Sequence, residues 1–296
     1  MRCSSPVVLR RCCLALAVLA SACIADPHVV LHEDDPTGGG RAVPVSGDDD
    51  DAMVLVPAKV IAAPGSLAPN APGNGDDDDK GGKKGKPKDA GAPEPSDDPP
   101  APSASETTVP AFWLDVREVS AAAYGACVRA GACSAPAADD GCTLAAALGT
   151  HPINCVTLEH ARAFCVWRGK RLPKNDEWTA ASAGSTGRPY AWGIDPPSSE
   201  RLNACGAECG APSMFPSSDG WARTAPRGSF PLGQSPDGVL DLAGNVAEWV
   251  DLGGASVVRG GSYEDADPAA VGATSVRAVA PGGASPVIGF RCAKDG

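Results

Sequence analysis

Residues 238–249 read Gly-Val-Leu-Asp-Leu-Ala-Gly-Asn-Val-Ala-Glu-Trp. Two carboxylates, Asp241 and Glu248, stand near the two ends of this segment, and Gly244 and Val246 lie between them. Carboxylate and main-chain carbonyl oxygens are the ligands that a hard cation such as calcium prefers. The segment therefore predicts a turn whose oxygens converge on one cation. The alternative is that the two carboxylates only cap turns and pair with arginines.

Short blocks of similar character occur on both sides of this segment. They read Met-Val-Leu-Val-Pro-Ala (53–58), Phe-Trp-Leu-Asp-Val-Arg-Glu-Val-Ser (112–120), His-Pro-Ile-Asn-Cys-Val-Thr (151–157), Ala-Phe-Cys-Val-Trp-Arg-Gly-Lys-Arg-Leu-Pro (163–173), Glu-Trp (177–178), Tyr-Ala-Trp-Gly (190–193), Arg-Gly-Gly-Ser (259–262) and Gly-Phe-Arg-Cys (289–292). In this order they resemble the formylglycine-generating enzyme family, also called the sulfatase-modifying factor family. The resemblance covers nearly all of residues 109–296.

The resemblance implies a C-type-lectin-like variant fold of the α+β class, with little regular secondary structure and with bound calcium. Two ligand sets follow from the family positions. The first set is Asp241, Leu242, Gly244, Val246 and Glu248. The second set is Asn203, Ala204, Asp219 and Trp221. In both sets the apolar residues would contribute only carbonyl oxygens, and calcium is the cofactor that we expect.

The residues themselves also predict an α+β domain. Apolar positions recur with helical spacing from Glu159 to a stop at Gly169, and Asn175 or Asp176 could cap a second helix that runs through Ala183. Short apolar runs at 52–58, 112–116 and 257–259 predict strands.

Eight cysteines lie beyond the N-terminal segment, and an even count in an exported chain indicates disulfides. Eight cysteines allow 105 connectivities, and no histidine neighbours the closest pair to suggest zinc. The family resemblance pairs Cys165 with Cys292. We further predict the pairs Cys205 with Cys209, Cys142 with Cys155, and Cys127 with Cys133.

The family's oxidase chemistry depends on copper(I) held by two thiolates, which are the soft ligands that copper(I) selects. The matching positions here are Asp265 and Ala270, so we expect neither copper nor a catalytic residue at this place. An iron site would call for two histidines and a carboxylate. The domain offers only His151 and His160, and the second is expected to face solvent.

The N-terminus predicts export. Residues 1–22 join basic residues to the apolar run Leu14–Ala20, which is a signal peptide rather than a bilayer-spanning helix. The residues before Cys23 resemble a lipobox that lipidates this cysteine, although the usual leucine position holds Ala20. The alternative is plain secretion with cleavage after Ala22. Ile24 favours the outer membrane or cell surface for a lipoprotein.

Residues 23–51 are predicted to be a disordered tether, and residues 52–296 to be one domain with a disordered insertion at about 65–108. Runs of four aspartates at 48–51 and 76–79, with Pro and Gly around them, cannot bury a core. Loss of the three signal-peptide arginines changes the formal charge from −11 to −14, which makes nucleic acid an unsuitable partner.

Two functions fit these observations. The first is a non-catalytic, calcium-stabilised lipoprotein domain that binds a peptide or protein partner. Asp265 and Asp267 would favour a basic group of that partner in the cleft where the family holds copper. The second is a metal-dependent oxidase or modifying enzyme, of the formylglycine-generating or nonheme iron type, that acts on a peptide.

Overall fold

The structure is a computed structural model that describes residues 45–46, 50–62 and 106–296. Its strands are β1 (Val45–Ser46), β2 (Met53–Val56), β3 (Lys59–Ala62), β4 (Glu106–Val109), β5 (Phe112–Asp115), β6 (Ala247–Leu252), β7 (Ala255–Arg259), β8 (Val276–Ala278), β9 (Ile288–Gly289) and β10 (Ala293–Asp295). Its helices are α1 (Ala121–Arg129), α2 (Leu158–Trp167) and α3 (Asn175–Ser182), with short 3-10 turns at Ala207–Cys209 and Pro231–Gly233. The predicted signal peptide, Cys23 and most of the tether and insertion lie outside the described residues.

Two strands lie at the edges of the predicted boundaries. Strand β1 lies within the predicted tether but pairs with β2, and Asp50 and Asp51 form ion pairs with the folded domain. Strand β4 pairs with β3 and begins inside the predicted insertion. In both places backbone pairing or charge pairing, rather than apolar composition, joins a polar segment to the domain.

The first sheet joins the two ends of the domain. Its strand order is β1-β2-β5-β10, all antiparallel, and Leu114 of β5 lies between Val54 and Ala293. The apolar run at 52–58 therefore forms a strand as predicted, while β3 turns away to pair with β4 alone.

The second sheet carries the C-terminal end of the 238–249 segment. Its order is β8-β7-β6-β9, and β9 is parallel to β6. Glu248 and Trp249 stand on β6, and Glu248 is opposite Arg259 on β7. The sheet therefore places the end of the 238–249 segment beside the Gly-Gly-Ser turn that follows β7.

The helices begin at side-chain caps. Ser120 accepts a hydrogen bond from Ala123 N at 2.9 Å, and Thr157 accepts one from His160 N at 3.2 Å. Helix α3 corrects the predicted cap, because Lys174 is the capping residue and its main-chain N–H donates to Glu177 at 2.8 Å. This bond satisfies a donor that would otherwise lack a partner at the helix start.

Three packed clusters form the core. The first joins α1 and α2 to the second sheet, where Tyr124 and Phe164 stack at 5.7 Å and Phe290 meets Phe164 edge-on at 5.5 Å. The second packs Trp178 of α3 between the two larger sheets. The third lies below the loops that carry Leu202 and Phe215.

The four predicted disulfides are confirmed. The bridges are Cys127–Cys133, Cys142–Cys155, Cys165–Cys292 and Cys205–Cys209. Within the part of the chain that the structure describes, no helix has the length and apolar character needed to cross a bilayer.

Candidate functional site

The Gly-Gly-Ser turn precedes the two positions where the family resemblance expects thiolates, Asp265 and Ala270. Asp265 bends back onto this turn, and its Oδ2 accepts hydrogen bonds from Ser262 N at 2.8 Å and from Ser262 Oγ at 2.9 Å. Its Oδ1 lies 3.8 Å from the guanidinium of Arg277. Asp265 and Ala270 both line a cavity of about 70 Å³. The carboxylate at which we predicted a basic ligand therefore has one oxygen bound to the turn and the other facing an arginine.

No soft donor faces this cavity. Its lining residues are Ala247, Val258, Gly260, Gly261, Asp265, Ala270, Ser275 and Arg277. The sulfur of Cys292 is bonded to Cys165 elsewhere in the fold. Among residues 50–62 and 106–296, no cluster of three or more His, Cys, Asp or Glu side chains is placed to hold a metal ion. The cavity therefore offers an anion and a cation, but not the thiolate pair that copper(I) selects.

Neither histidine adds to the cavity. His151 is 7% exposed, its Nδ1 lies 3.0 Å from Thr224 Oγ1, and burial lowers the pKa of its imidazole. His160 is half-buried rather than solvent-exposed, because its Nδ1 accepts the Thr157 N–H at the start of α2. Both rings have structural partners.

A buried arginine fixes the cavity wall. Arg259 is 1% exposed, its Nε donates to Ser275 O at 2.6 Å, and its guanidinium lies 4.5 Å from the ring centroid of Trp178. Burial lowers the pKa of this guanidinium to about 10. The side chain thereby ties the loop beside the cavity to α3.

The first predicted calcium set is folded around Arg291. This guanidinium donates to Glu248 Oε2 at 2.7 Å and to Glu248 Oε1 at 2.6 Å, and it also donates to the main-chain oxygens of Leu240 and Asp241. Trp178 adds a third donor to the Glu248 carboxylate at 3.2 Å. As arranged here the set does not fit a calcium ion, which would have to displace a cation from Glu248.

The carbonyls of the first set lie in a tightly bent backbone. Asp241 has a φ of 55°, and its Oδ2 accepts from Gly228 N. Gly244 has a φ of 75°, and a Cβ there would lie 2.2 Å from Asn203 O. Glycine is therefore required at 244, where the segment passes against the loop that carries the second set.

Glu118 is a third buried carboxylate that the sequence did not indicate. It is 0% exposed, and its Oε2 accepts from Asn245 Nδ2 at 3.2 Å. Burial, together with the nearby charges of Asp241 and Glu248, raises the pKa of Glu118 well above its ordinary value. The only available signal was its place in the 112–120 block, where we considered only a strand.

The second predicted calcium set is assembled by Asp219. Its Oδ1 accepts from Trp221 N at 2.9 Å and its Oδ2 accepts from Ala204 N at 3.0 Å, so residues 203–204 and 219–221 come together. Burial raises the pKa of the Asp219 carboxyl. The Trp221 side chain is 37% exposed. Because an indole has no oxygen, only the main-chain carbonyl of Trp221 could bind an ion.

Asn203 supplies an oxygen that fits a cation. Its Nδ2 donates to Arg223 O at 2.9 Å and to Asn245 Oδ1 at 3.1 Å, which fixes the orientation of the amide. The buried Oδ1 then has no hydrogen-bond partner among the described residues. A buried oxygen without a donor is costly unless a cation or a water satisfies it. The second set therefore fits an oxygen-liganded cation through Asn203, Asp219 and main-chain carbonyls.

The comparisons with known proteins agree with this architecture. The profile of the sulfatase-modifying factor enzyme 1-like domain matches residues 52–296. The chain belongs to this family. The family assignment and the α+β fold predicted from the sequence are therefore confirmed.

Two relatives and one solved structure are instructive. The chain is 37% identical over 158 residues to inactive C-alpha-formylglycine-generating enzyme 2 of Bos taurus, covering 48% of this chain and 50% of that protein. It is 36% identical over 173 residues to the formylglycine-generating enzyme of Streptomyces coelicolor, covering 49% and 53%. The chain thus spans about half the length of these relatives.

The solved structure is that of PvdO from Pseudomonas aeruginosa. It superposes with a TM-score of 0.58 at 20% sequence identity, covering 87% of this chain and 100% of that one. At this identity the likeness concerns the fold alone.

Proposed function

We propose that this chain is a non-catalytic member of its family, a calcium-stabilised domain that binds a peptide and is held at a membrane by a lipid. The observation that carries this proposal is the role of Asp265. At the position where the family resemblance expects a thiolate, this carboxylate holds the Ser262 turn and faces Arg277. The similarity to an inactive relative supports the same conclusion.

Retention of the cavity supports a binding role. Ala270 leaves space beside the turn, and Gly260 and Gly261 keep the turn compact at positive φ values of 86° and 66°. A family scaffold that keeps a cleft without its thiolates can still recognise a ligand, because fold and chemistry are separable.

The peptide-binding role can be measured with a fluorescein-labelled pool of random peptides and the full mature chain, with no copper added. We expect saturable anisotropy changes that are lost in Ala270→Trp, since the indole would fill the cavity. Ala122→Trp, on the exposed face of α1, is the matched control and should bind as the parent does. Absence of saturable binding, or equal binding by Ala270→Trp, would contradict the proposal.

The calcium proposal rests on the second ligand set. Asn203 presents a buried oxygen without a donor among the described residues, and the Asp219 carboxylate accepts a hydrogen bond from the main chain of the next residue, Ala204. A cation there would join two loops that share little regular secondary structure. Its role is structural, since neither residue lines the cavity beside the turn.

The anchoring proposal concerns Cys23, outside the described residues. The residues before it resemble a lipobox, and the acidic and Pro-rich segment after it suits a spacer between lipid and domain. Cys23→Ser should move the protein from the membrane fraction to the soluble exported pool. Unchanged membrane association in fractionated cells would show that the lipidation proposal is wrong.

A further inference from the structure

We propose that the cavity beside the Gly-Gly-Ser turn receives the side-chain carboxylate of an Asp or Glu residue in the bound peptide, and that Arg277 holds it. This inference rests on the proposed peptide-binding function and names its ligand chemistry. It reverses the charge preference that Asp265 and Asp267 suggested in the sequence.

Arg277 is placed at the cavity by strand pairing. It stands on β8 opposite Val258 of β7, and directly paired residues project to the same face of a sheet. Both residues line the cavity. The Arg277 side chain is 45% exposed, so it reaches the mouth of the cavity while remaining accessible to a ligand.

The guanidinium of Arg277 retains its hydrogen-bonding capacity. Within the described ranges its one charged neighbour is Asp265 at 3.8 Å, which is too far for a hydrogen bond. Arg223 provides a contrast, because its two terminal nitrogens donate to Asp140 at 2.9 and 2.7 Å. A guanidinium offers five N–H donors in a planar fork that matches a carboxylate.

Asp265 does not compete strongly for this fork. Its Oδ2 accepts two hydrogen bonds from Ser262, which hold the carboxylate against the turn. Only Oδ1 faces Arg277. Asp265 therefore orients one edge of the guanidinium and leaves the other edge for a ligand, as a positioning residue would.

The size and walls of the cavity suit a short acidic group. A volume of about 70 Å³ corresponds to roughly five to seven water-sized positions at 10–15 Å³ each. Ala247 and Val258 give the cavity an apolar wall against which methylene groups can pack. A carboxymethyl or carboxyethyl group fills such a space, whereas a peptide backbone segment is too large.

A single negative charge fits better than a phosphate. The cavity contains one arginine, and Glu264, Asp265 and Asp267 follow one another on the adjoining turn. Recognition of a doubly charged phosphate normally uses a cluster of arginines. The acidic turn would repel such a group more strongly than it repels a carboxylate.

The test compares peptide pools that have amidated C-termini, share random flanks without Asp or Glu, and differ only in one fixed central residue. Pools centred on Asp or Glu are compared with Asn and Gln pools, which have the same shape without charge, and with Lys and phosphoserine pools. Binding to the full mature chain is measured by fluorescence anisotropy. We expect acid-centred pools to bind about tenfold more tightly than their amide counterparts, the ratio that one charge-assisted hydrogen bond supplies.

Arg277→Gln should abolish this preference, because the shorter amide side chain has neither the charge nor the fork of the guanidinium. Arg277→Lys should restore only part of it, since an ammonium lacks the bidentate geometry. Arg162→Gln, which removes an exposed arginine paired with Asp251, should retain the full preference.

The outcomes separate the two proposals. If no pool binds, the peptide-binding function fails, and this inference fails with it. If pools bind but acids do not exceed amides, or the preference persists in Arg277→Gln, only the carboxylate inference is wrong. A preference for Lys or phosphoserine would equally contradict it and would identify the ligand class instead.

Discussion

The cluster around Arg291 and the loop that contains Asn203 and Asp219 were predicted to have the same role, yet the structure builds them in opposite ways. In the Arg291 cluster, Glu248 receives both of its strongest hydrogen bonds from a guanidinium that is 0% exposed. In the Asn203 loop, the buried Oδ1 of Asn203 has no donor among the described residues. The first region pairs its carboxylate with a cation of the chain itself, whereas the second leaves an oxygen that we propose an external cation completes.

The two regions also contain disulfides of different reach. Cys292 directly follows Arg291 and is bonded to Cys165, 127 residues away. Cys205 directly follows Ala204 and is bonded to Cys209, four residues away. The buried cluster thus carries a long-range bridge and the loop a local one, so the two should respond differently to reduction.

The largest effect is expected when the Arg291 cluster loses its cation. Arg291→Met would leave the buried carboxylates of Glu118, Asp241 and Glu248 without their shared partner. Removing one member of a buried ion pair costs about 3–5 kcal/mol. Urea unfolding followed by tryptophan fluorescence measures this loss.

Arg162→Gln is the matched control for that experiment, because the exposed pair with Asp251 should contribute about 0–1 kcal/mol. Equal losses in the two variants would show that the cluster is not held by its central arginine.

The disulfides are expected to differ next. Replacing Cys165 and Cys292 together by alanine should lower the free energy of unfolding by about 2–5 kcal/mol, because the bridge closes a long loop. Replacing Cys205 and Cys209 together should cost about 2 kcal/mol or less, since that loop is short. Thermal unfolding of both double variants in calcium would reveal the order, and the opposite order would contradict the loop-length explanation.

Calcium should stabilise the fold through the second region alone. A ligand bound only to the native state adds about 2.7 kcal/mol at a hundredfold excess over its Kd. Asp219→Ala should lose most of this calcium-dependent gain. Glu248→Gln should be less stable throughout but should keep the gain, because its carboxylate is paired with Arg291.

Melting curves with calcium and with a chelator test this prediction. Identical parent curves in the two conditions would eliminate the calcium proposal. Loss of the calcium gain in Glu248→Gln, rather than in Asp219→Ala, would restore the first set as the ion site.

The smallest effect is expected at Trp221. Its side chain is 37% exposed, and only its main-chain oxygen is available to an ion. Trp221→Phe should therefore leave the calcium-dependent gain within about 0.5 kcal/mol of the parent value. A larger change would mean that the indole, which meets His151 edge-on at 5.6 Å, shapes the site.

The sequence predicted the features that short blocks of residues indicate by themselves. The helix ending before Gly169, the strand at 112–115 and all four disulfides follow from spacing or from family resemblance, and the structure confirms them. Strand β1 was missed because a two-residue strand has too few apolar positions to form a pattern.

The unpredicted features arise from tertiary contacts. Glu118 and Arg291 lie 173 positions apart in the chain, so nothing in either block indicates that they share one buried cluster. Arg277 gains its importance from the register of β8 on β7, which places it beside Val258 at the cavity. Charge alone suggested a basic ligand at Asp265, and only the structure shows that one oxygen of this carboxylate is hydrogen-bonded to Ser262.

The central claim is that this domain binds without oxidising, and incubation with a sulfatase-type cysteine peptide in the presence of copper and reductant tests it most directly. Mass spectrometry should show that the peptide thiol is lost no faster than in a protein-free control, since Asp265 and Ala270 provide no thiolate. The variant with Asp265→Cys and Ala270→Cys should bind copper(I) where the parent does not. Formation of the aldehyde by the parent protein above the control rate would contradict the account.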